Sequence, residues 1–426
     1  MFETPIRATE SRASPFQTLR FQLLFNWFAA VALPAIIAVG LPGQFTLAAE
    51  TISNSLIAAF VAASAATVAM RRFAAYPGAT SASYVLPTCT MVYAVVLAAI
   101  LITRAEYSNS ILLASYVGAL VARYAIASLN SRQANLTFFL VPGGRVERVG
   151  MAEALTFLRL DSPREVVRGN SALIADLHFQ HAPEWERYIA EAAISGVPVY
   201  HYKQVVEATT GKVQIEHLSE NSFGSLIPGH VYPKVKRIAD TLLALIVLPF
   251  LAVPMAAVAM AIRLDSHGPA LFRQQRIGYR GEKFEVIKFR TMTSGNSAGE
   301  RDAAITQTDD NRITRLGRFL RRTRIDELPQ LFNIIRGEMS WIGPRPEAVG
   351  LSRWYEEEIP FYRYRHIVRP GITGWAQVNQ GHVSSLVDVD HKLRYDFYYV
   401  KNFSYWIDLL IVFRTFKVVL GGFGAK

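Results

Sequence analysis

Long apolar runs separated by short polar stretches dominate the first third of the chain. The runs lie at about residues 23–42, 54–70, 85–102 and 111–128. Each is close to the roughly 20 residues that an α-helix needs to cross a ~30 Å hydrocarbon core. They have almost no polar face, which argues against the alternative of a buried helical bundle in a soluble protein. The pattern therefore predicts four transmembrane helices.

Basic residues mark one end of these runs. In chain order they are Arg7, Arg12, Arg20, Arg71, Arg72, Arg123 and Arg132. Cytoplasmic loops carry an excess of such residues, so we expect both termini and everything after residue 132 to be cytoplasmic. The first three arginines are scattered through a polar stretch, unlike the ordered regions of a signal peptide, and we expect no cleaved signal.

Between about residues 133 and 230, apolar runs alternate with amphipathic stretches. In order, the predicted elements are Leu136–Val141, Ala172–Leu177, the helix Pro183–Ser195, Val197–Tyr202 and Lys212–Leu218. Strand, helix and strand at this spacing predict a small Rossmann-like α/β unit with a parallel sheet. Gly143 and Gly144 follow the first strand, but a full GxGxxG is absent. A structural or regulatory role is therefore favoured over nucleotide binding, which stays open.

A further apolar stretch, Leu242–Ile262, is long enough to cross a membrane. Basic residues flank it on both sides: Lys234, Lys236, Arg237 and Arg263. Asp240 lies at its start, and Pro249 and Pro254 lie inside it, where proline kinks or breaks a helix. These features favour a helix that enters the membrane and turns back. A simple span stays open, although it would place the basic C-terminal region outside the cell.

Composition and charge narrow the class of protein. Hydrophobic residues make up 51% of the chain, which is high for a soluble enzyme. The net charge of +11 implies anionic partners, which include nucleic acid, acidic lipid headgroups and phosphorylated small molecules. The single cysteine, Cys89, excludes an intramolecular disulfide and a cysteine-rich zinc site.

Beyond residue 264 the chain is polar, rich in arginine and broken by glycine and proline. Lys288 and Arg290 close an apparent strand and present two cations at a sheet edge. A cationic helical face follows, formed by Arg312, Arg315, Arg318, Arg321, Arg322 and Arg324. A solvated or lipid-headgroup face is the simplest interpretation of most of these side chains.

Two adjacent acids, Asp326 and Glu327, open an apolar helix that is predicted to stop at Gly337. Taken alone, Asp326 suits a helix N-cap. Arg324 beside it alters that interpretation, because cations and a helix N-terminus keep a carboxylate ionised and attract a diphosphate. Adjacent acids suit two tasks, since one can attack phosphorus while the other holds a hard cation such as Mg²⁺.

Stiff loops carry further candidates for phosphate binding. Arg345 lies between two prolines after Gly343, and Arg369 begins a run that ends in a tryptophan. The planar fork of arginine suits phosphate oxygens, although the second run is also typical of a structural turn. Asp396 is a third candidate acid, with a surface position as its alternative. The aromatic, mixed-charge tail Asn402–Leu420 predicts an interfacial helix.

Several of these motifs together carry a resemblance. The matching runs are Lys236–Asp240, Gly268–Gln274, Lys288–Met292, Asp326–Asn333, Gly343–Pro346 and Arg369–Gln377. In this order, residues 234–426 resemble the catalytic domain of the bacterial sugar transferases, also called monotopic phosphoglycosyl transferases. The region before them resembles the N-terminal extension of the large members of that family.

The resemblance implies roles for individual residues. Asp326 matches the nucleophile and Glu327 a magnesium ligand, while Lys288, Arg290 and Arg345 match phosphate contacts. It also implies a re-entrant membrane helix that breaks at a Ser-Pro pair. Pro254 fits that break, but Val253 replaces the serine here, so the hinge departs from the family pattern.

The implied reaction transfers a sugar-1-phosphate from a UDP-sugar to polyprenyl (undecaprenyl) phosphate through an aspartyl intermediate, with release of UMP. The implied cofactor is Mg²⁺, and the implied location is a bacterial inner membrane, with membrane lipid as a partner. Such enzymes start exopolysaccharide or O-antigen-type synthesis. The resemblance to the large members of the family is compatible with a homodimer. The residues do not identify the sugar.

The predicted architecture is a membrane α/β protein in three parts. Residues 1–132 hold the N-terminal tail and four transmembrane helices, and residues 133–230 form the Rossmann-like cytoplasmic domain. Residues 231–426 form an α/β monotopic catalytic domain with its re-entrant helix at about 240–262.

Two other functions remain as alternatives. One is a membrane-anchored nucleotide-sugar binding protein without covalent catalysis, which the adjacent acids inside an arginine shell disfavour. The other is a membrane-tethered nucleic-acid binder. Because the chain has no recognisable nucleic-acid recognition motif, we expect no nucleic acid partner.

Overall fold

The computed structural model describes most of the chain. The described residues are 16, 18–40, 48–73, 81–133, 137–151, 156–163, 165, 171–213, 231–292, 312–380 and 385–421. The chain divides into two compact units, Met1–Gly211 and Lys212–Lys426. The division into three domains stays a prediction, because residues 214–230 lie outside the described ranges.

Long apolar helices begin the first unit. They are α1 (Leu19–Trp27), α2 (Leu33–Gly40), α3 (Ala49–Phe73), α4 (Ser81–Thr103) and α5 (Asn109–Gln133), with a π-helical turn, Phe28–Ala32, between α1 and α2. Stretches long and apolar enough to cross a membrane are Leu19–Ile37, Ala49–Phe73, Tyr84–Thr103 and Asn109–Leu129. They coincide with the four segments that the hydrophobic pattern predicts.

Small residues and buried amides hold these helices together. A Cβ atom on Gly118 of α5 would lie 2.1 Å from the carbonyl oxygen of Ala29, so the two backbones approach closely. The Asn26 side chain donates hydrogen bonds to the Ala63 carbonyl at 2.9 Å and to Thr67 Oγ1 at 3.0 Å. Close small-residue contacts and interhelical hydrogen bonds are typical of helices packed in an apolar medium.

A small parallel sheet follows in the same unit. Its strands are β1 (Thr137–Leu140), β2 (Thr156–Arg159), β3 (Ser171–Ala175) and β4 (Val199–His201), in the order β2-β1-β3-β4. Helices α6 (Pro183–Ile194) and α7 (Tyr202–Thr210) follow β3 and β4. Leu173 packs with Tyr188 of α6 on one face of β3, and Ile174 packs with Tyr202 of α7 on the other.

The parallel α/β unit agrees with the prediction, including the helix from Pro183. Strand β2 was not predicted, because its four residues give too short a pattern to separate from a loop. Most of the predicted strand Lys212–Leu218 lies outside the described residues.

The second unit surrounds two short sheets with helices. Strands β5 (Leu271–Ile277) and β6 (Lys283–Phe289) form an antiparallel hairpin, and β7 (Ser340–Ile342) pairs in parallel with β8 (Gly371–Thr373). The α-helices are α8 (Val231–Asp265), α9 (Arg315–Arg322), α10 (Leu331–Arg336), α11 (Val349–Glu358), α12 (Trp375–Asn379), α13 (Leu386–Lys401) and α14 (Tyr405–Gly421). The 3-10 turns are Tyr279–Gly281, Ile325–Gln330 and Tyr362–Ile367.

Helix α8 packs on this unit along its length. Near its start, Ala244 lies in one apolar cluster with Leu331 and Ile334 of α10. Near its end, Ile262 lies in another cluster with Phe289 of β6 and Leu320 of α9. The helix is assigned as continuous over 35 residues, with Pro249 and Pro254 inside it. The break at Pro254 and the re-entrant path therefore stay predictions.

Buried polar groups fix the first turns of α8. Asp408 of α14 accepts hydrogen bonds from Lys236 Nζ at 2.6 Å and from Tyr232 at 2.5 Å through one oxygen. Its other oxygen accepts from Tyr399 of α13 at 2.7 Å. The same Tyr399 hydroxyl lies 3.1 Å from the carbonyl oxygen of Ile342, the last residue of β7. The start of α8 is thus tied to the strand that leads into the Gly343–Pro346 loop.

Candidate active site

Asp326 and Glu327 lie in the 3-10 turn Ile325–Gln330, which leads directly into α10. Arg324 precedes the turn with a φ of +58°, a left-handed conformation that few non-glycine residues adopt. Arg324 occupies the N-cap position, so the alternative of Asp326 as an N-cap is wrong. Helix α10 ends at Gly337 with a φ of +89°, as the sequence predicts.

The Glu327 carboxylate is buried at the centre of a cluster of cations. Its Oε1 lies 3.0 Å from Arg345 Nη2, 3.3 Å from Lys288 Nζ and 3.6 Å from Arg324 Nη1. Burial favours the neutral acid, but the three cations outweigh burial and hold the pKa of Glu327 well below its usual range. Glu327 is therefore an ionised anchor that brings together β6, the 3-10 turn and the Gly343–Pro346 loop.

Asp326 has the opposite environment. Burial, reinforced by the neighbouring Glu327 charge, raises its pKa, while Lys288, Arg324 and Arg345 oppose the rise. Its Oδ1 is buried and accepts no hydrogen bond from the residues that the structure describes. Two adjacent carboxyl groups whose pKa values move in opposite directions suit different chemical tasks. Glu327 is held in ion pairs, whereas Asp326 Oδ1 has no hydrogen-bond partner among the described residues.

Lys288 reaches Glu327 from the end of β6. Burial lowers the pKa of Lys288 to about 8, against the opposing effect of Glu327. Asn333 of α10 fixes this geometry because it bonds the β6 backbone with both ends of its amide. It accepts from the Ile287 N–H at 3.1 Å and donates to the Glu285 carbonyl at 2.6 Å. The sequence places Asn333 in a matching run but does not reveal this role.

A second buried ion pair supports the loop that carries Arg345. Arg365 donates to the Arg345 carbonyl oxygen at 2.8 Å and pairs with Asp396 at 2.8 Å. Both side chains are 2% exposed, so a surface position for Asp396 is wrong. Burial raises the pKa of Asp396, although Arg365 opposes the rise. Asp396 thus acts on the site through Arg365, and its direct contact with a substrate stays a prediction.

The structure does not bring Arg290 and Arg369 to the Glu327 cluster. Arg290 donates to the carbonyls of Ser266 and His267, at 2.7 and 2.8 Å, and so binds the end of α8 to β6. Arg369 donates to the Gly337 carbonyl at 3.0 Å and stacks over Tyr279. Both guanidinium groups have structural partners, and their phosphate contacts stay predictions.

The cationic face predicted for Arg312, Arg315, Arg318, Arg321, Arg322 and Arg324 is exposed only in part, since Arg312 and Arg321 are half-buried. Arg315, Arg318 and Arg322 are exposed, while Leu320 is buried against β6 and α8. Arg324 is half-exposed and connects this face to Glu327. These exposed arginines would attract anionic molecules to the part of the surface beside Glu327.

The two acids fit a hard divalent cation such as Mg²⁺. Carboxylate oxygens are its preferred protein ligands. Asp326 Oδ1 is buried and has no hydrogen-bond donor among the described residues. The contacts of Glu327 with Lys288, Arg324 and Arg345 all use Oε1, which leaves Oε2 outside these pairs.

Known proteins resemble this chain strongly. Residues 231–422 match the family described as bacterial sugar transferase. A UDP-N-acetylgalactosamine-undecaprenyl-phosphate N-acetylgalactosaminephosphotransferase of Aeromonas hydrophila is 42% identical over 374 residues, which are 88% of each chain. A UDP-glucose:undecaprenyl-phosphate glucose-1-phosphate transferase of Escherichia coli is 42% identical over 42% of this chain and 39% of its own. An undecaprenyl-phosphate glucose phosphotransferase of Komagataeibacter xylinus is 44% identical over 43% of this chain and 35% of its own.

Replacing Arg365 tests the support behind the Arg345 loop. Arg365→Ala leaves the Asp396 carboxylate buried without its partner, and we expect it to destabilise the second unit by about 3–5 kcal/mol. Arg363→Ala is the matched control, because Arg363 lies in the same 3-10 turn but is 78% exposed. We expect the control to change stability by about 1 kcal/mol or less. Thermal unfolding measures both, and equal midpoints would contradict a supporting role for the pair.

Proposed function

Because this chain belongs to the bacterial sugar transferase family, we propose that it transfers a sugar-1-phosphate from a UDP-sugar to undecaprenyl phosphate and releases UMP. The chain is an enzyme of the polyprenyl-phosphate glycosyl-1-phosphate transferase class. The observation that carries the detailed proposal is the contrast between two adjacent carboxyl groups. Glu327 is neutralised by three cations, whereas Asp326 has a buried oxygen with no hydrogen-bond donor among the described residues.

The reaction proceeds in two displacements. In the first, a carboxylate oxygen of Asp326 attacks the phosphorus that carries the sugar, the bond to the UMP oxygen breaks, and UMP leaves. The product is a mixed anhydride of Asp326 and the sugar phosphate. In the second, a phosphate oxygen of undecaprenyl phosphate attacks the same phosphorus, and the Asp326 carboxylate is released. A raised pKa makes the ionised Asp326 a better nucleophile than an acid that is held in ion pairs.

The neighbouring cations stabilise the negative charge that develops on the phosphate groups during these steps. Arg345 and Lys288 fix Glu327 and face the same region as Asp326, where they stabilise the charge that develops on the leaving UMP. Arg324 is half-exposed and lies 3.6 Å from Glu327, so its guanidinium can contact the diphosphate. Glu327 would hold Mg²⁺ through Oε2, the oxygen outside these ion pairs, and the ion would offset the charge of the diphosphate.

The lipid substrate requires this site to lie at the membrane interface, and α8 supports that placement. A straight α-helix of 35 residues would be roughly 50 Å long, well beyond a ~30 Å hydrocarbon core. Both halves of α8 contact the same unit, and the side chains facing away are apolar and exposed, among them Ile246, Phe250, Val253 and Met260. We therefore propose that α8 enters the membrane and returns, with a bend near Pro249 and Pro254.

The rest of the proposed setting follows from the apolar helices and their basic ends. We propose that the N-terminal helices cross the bacterial inner membrane, with both termini and the catalytic domain in the cytoplasm. Three further points stay predictions. The enzyme starts an exopolysaccharide or O-antigen-type pathway, it forms a homodimer, and it has no nucleic acid partner. UDP-N-acetylgalactosamine is the first donor to test, because the relative named for that sugar matches across 88% of the chain.

The nucleophile is tested by exchanging each acid for its amide. Asp326→Asn keeps the size of the side chain but cannot form the anhydride, and we expect turnover to fall by on the order of 10⁴ or more. Glu327→Gln should reduce turnover less and weaken its dependence on Mg²⁺. The measurement is UMP release with UDP-N-acetylgalactosamine and undecaprenyl phosphate, and Glu358→Gln, an exposed acid on α11, is the control. Near wild-type turnover by Asp326→Asn would contradict the mechanism and favour a binding protein or direct transfer.

The path of α8 is tested by labelling cysteines at its two ends. Lys234→Cys and Arg263→Cys place thiols at exposed positions on either side of the apolar stretch, in a background where the buried Cys89 is replaced by alanine. We expect both thiols to react with an impermeant maleimide only in inverted membrane vesicles. Labelling of residue 263 from the periplasm would mean that α8 crosses the membrane.

The low pKa of Lys288 predicts how nucleotide binding depends on pH. Its folded pKa of about 8 lies below the ordinary 10.5, so its positive charge is lost as the pH rises through about 8. We expect the affinity for UDP to fall between pH 7 and 9. Lys288→Arg should show a flatter profile, because a guanidinium stays protonated in this range. Calorimetry measures both, and parallel profiles would contradict a role for the Lys288 charge.

A further inference from the structure

Three side chains that offer metal ligands meet at one edge of the parallel sheet in the first unit. Asp176 directly follows β3, His178 lies two residues later, and His201 is the last residue of β4. All three therefore lie at the carboxyl ends of parallel strands. Strand β2 lies on one side of β1, and the chain then returns to place β3 on the other side of β1. The order in which strands are added therefore reverses between β1 and β3. Ligands of open α/β sheets bind beside such a switch point.

The distances suit a single metal ion. One ligand atom from each side chain lies within 4.8 Å of the other two. His201 Nε2 is 2.8 Å from His178 Nδ1 and 3.7 Å from Asp176 Oδ1. A tetrahedral zinc ion with bonds of about 2.0–2.1 Å places its ligand atoms roughly 3.4 Å apart. To reach that spacing, the 2.8 Å pair would open by roughly 0.6 Å and the 3.7 Å pair would close by about 0.3 Å.

We propose that Asp176, His178 and His201 form a binding site for a divalent late first-row transition ion, with Zn²⁺ as its representative. Two imidazole nitrogens and one carboxylate oxygen form the donor set that such ions prefer, whereas Mg²⁺ and Ca²⁺ prefer oxygen ligands alone. These residues belong to the first unit and the Asp326–Glu327 pair to the second. The inference therefore does not depend on the proposed transferase reaction.

Backbone hydrogen bonds already hold the Asp176 carboxylate in one orientation before any metal ion binds. Asp176 is buried, and its two oxygens accept backbone hydrogen bonds from Arg145 at 3.0 Å and from His178 at 3.2 Å. Gly144 allows this approach, since it has a φ of +62° and a Cβ there would lie 2.4 Å from Asp176 Oδ2. Such contacts fix a metal ligand in place, and their presence raises the affinity of a site. His178 is exposed, which leaves a route for the ion.

The hydrogen bonds of His201 show which of its ring nitrogens carries the proton that a metal ion must displace. His201 Nδ1 accepts from the Lys203 N–H at 3.1 Å and caps α7, so the neutral ring carries its proton on Nε2. That proton is donated to His178 Nδ1. Metal binding at His201 Nε2 moves the proton to Nδ1 and replaces the bond from Lys203. The metal and the helix cap compete, and α7 should respond when the metal binds.

The test is a zinc titration of the full-length protein in detergent, with any histidine tag removed and bound metal first stripped by a chelator. Competition with a chromophoric chelator measures affinity, and Co²⁺ reports coordination through its visible absorption. We expect the wild type to take up one ion per chain with four-coordinate Co²⁺ bands, undisturbed by excess Mg²⁺. His178→Gln and His201→Gln should each weaken zinc binding at least about tenfold, because each removes one of three protein ligands.

The control is His391→Gln, which removes an exposed imidazole from α13 and should leave zinc binding unchanged. Thermal unfolding checks each variant, and if His201→Gln unfolds through loss of the α7 cap, His178→Gln decides alone because its side chain is exposed. No saturable zinc binding by the wild type would overturn the proposal. Equal zinc affinity in the wild type and His178→Gln would also overturn it and would leave the cluster as a hydrogen-bonded histidine pair.

Discussion

The candidate site depends on one buried negative charge. A carboxylate that is 6% exposed is unfavourable unless cations compensate it, and Glu327 has three within 3.6 Å. These cations come from β6, from the residue before the 3-10 turn and from the Gly343–Pro346 loop, so satisfying one charge brings three chain segments to one place. The same cluster places Asp326 beside an acid that is already ionised, and burial with that neighbour raises the pKa of Asp326.

The surrounding structure holds these three segments in position. Asn333 joins α10 to the backbone of β6, and Arg365 with Asp396 supports the loop from behind. Asp408 links the start of α8 through Tyr399 to the end of β7, immediately before the same loop. A movement of α8 would therefore shift the loop that carries Arg345. The helix that we propose to enter the membrane is therefore connected through buried hydrogen bonds to the loop that carries Arg345.

Local pattern was enough to predict the apolar helices and three of the four strands of the parallel sheet, because each of these elements is encoded within consecutive residues. The direction of single side chains was harder to predict. Lys288 and Arg290 are two residues apart and would share a face in a continuing strand. Strand β6 ends at Phe289, however, and Arg290 turns to the end of α8. Likewise, Asp396 is buried because it pairs with Arg365, 31 positions earlier, and no local pattern reveals that partner.

The proposed mechanism requires Asp326 to bind the sugar phosphate covalently before the lipid takes part, and peptide mapping by mass spectrometry detects such an adduct. The wild-type protein is incubated with UDP-N-acetylgalactosamine and Mg²⁺ without lipid, digested and mapped. We expect an added N-acetylgalactosamine phosphate on the peptide that contains Asp326, with equimolar UMP, and loss of the adduct when undecaprenyl phosphate is added. UMP release that requires the lipid, with no adduct under any condition that supports turnover, would contradict it.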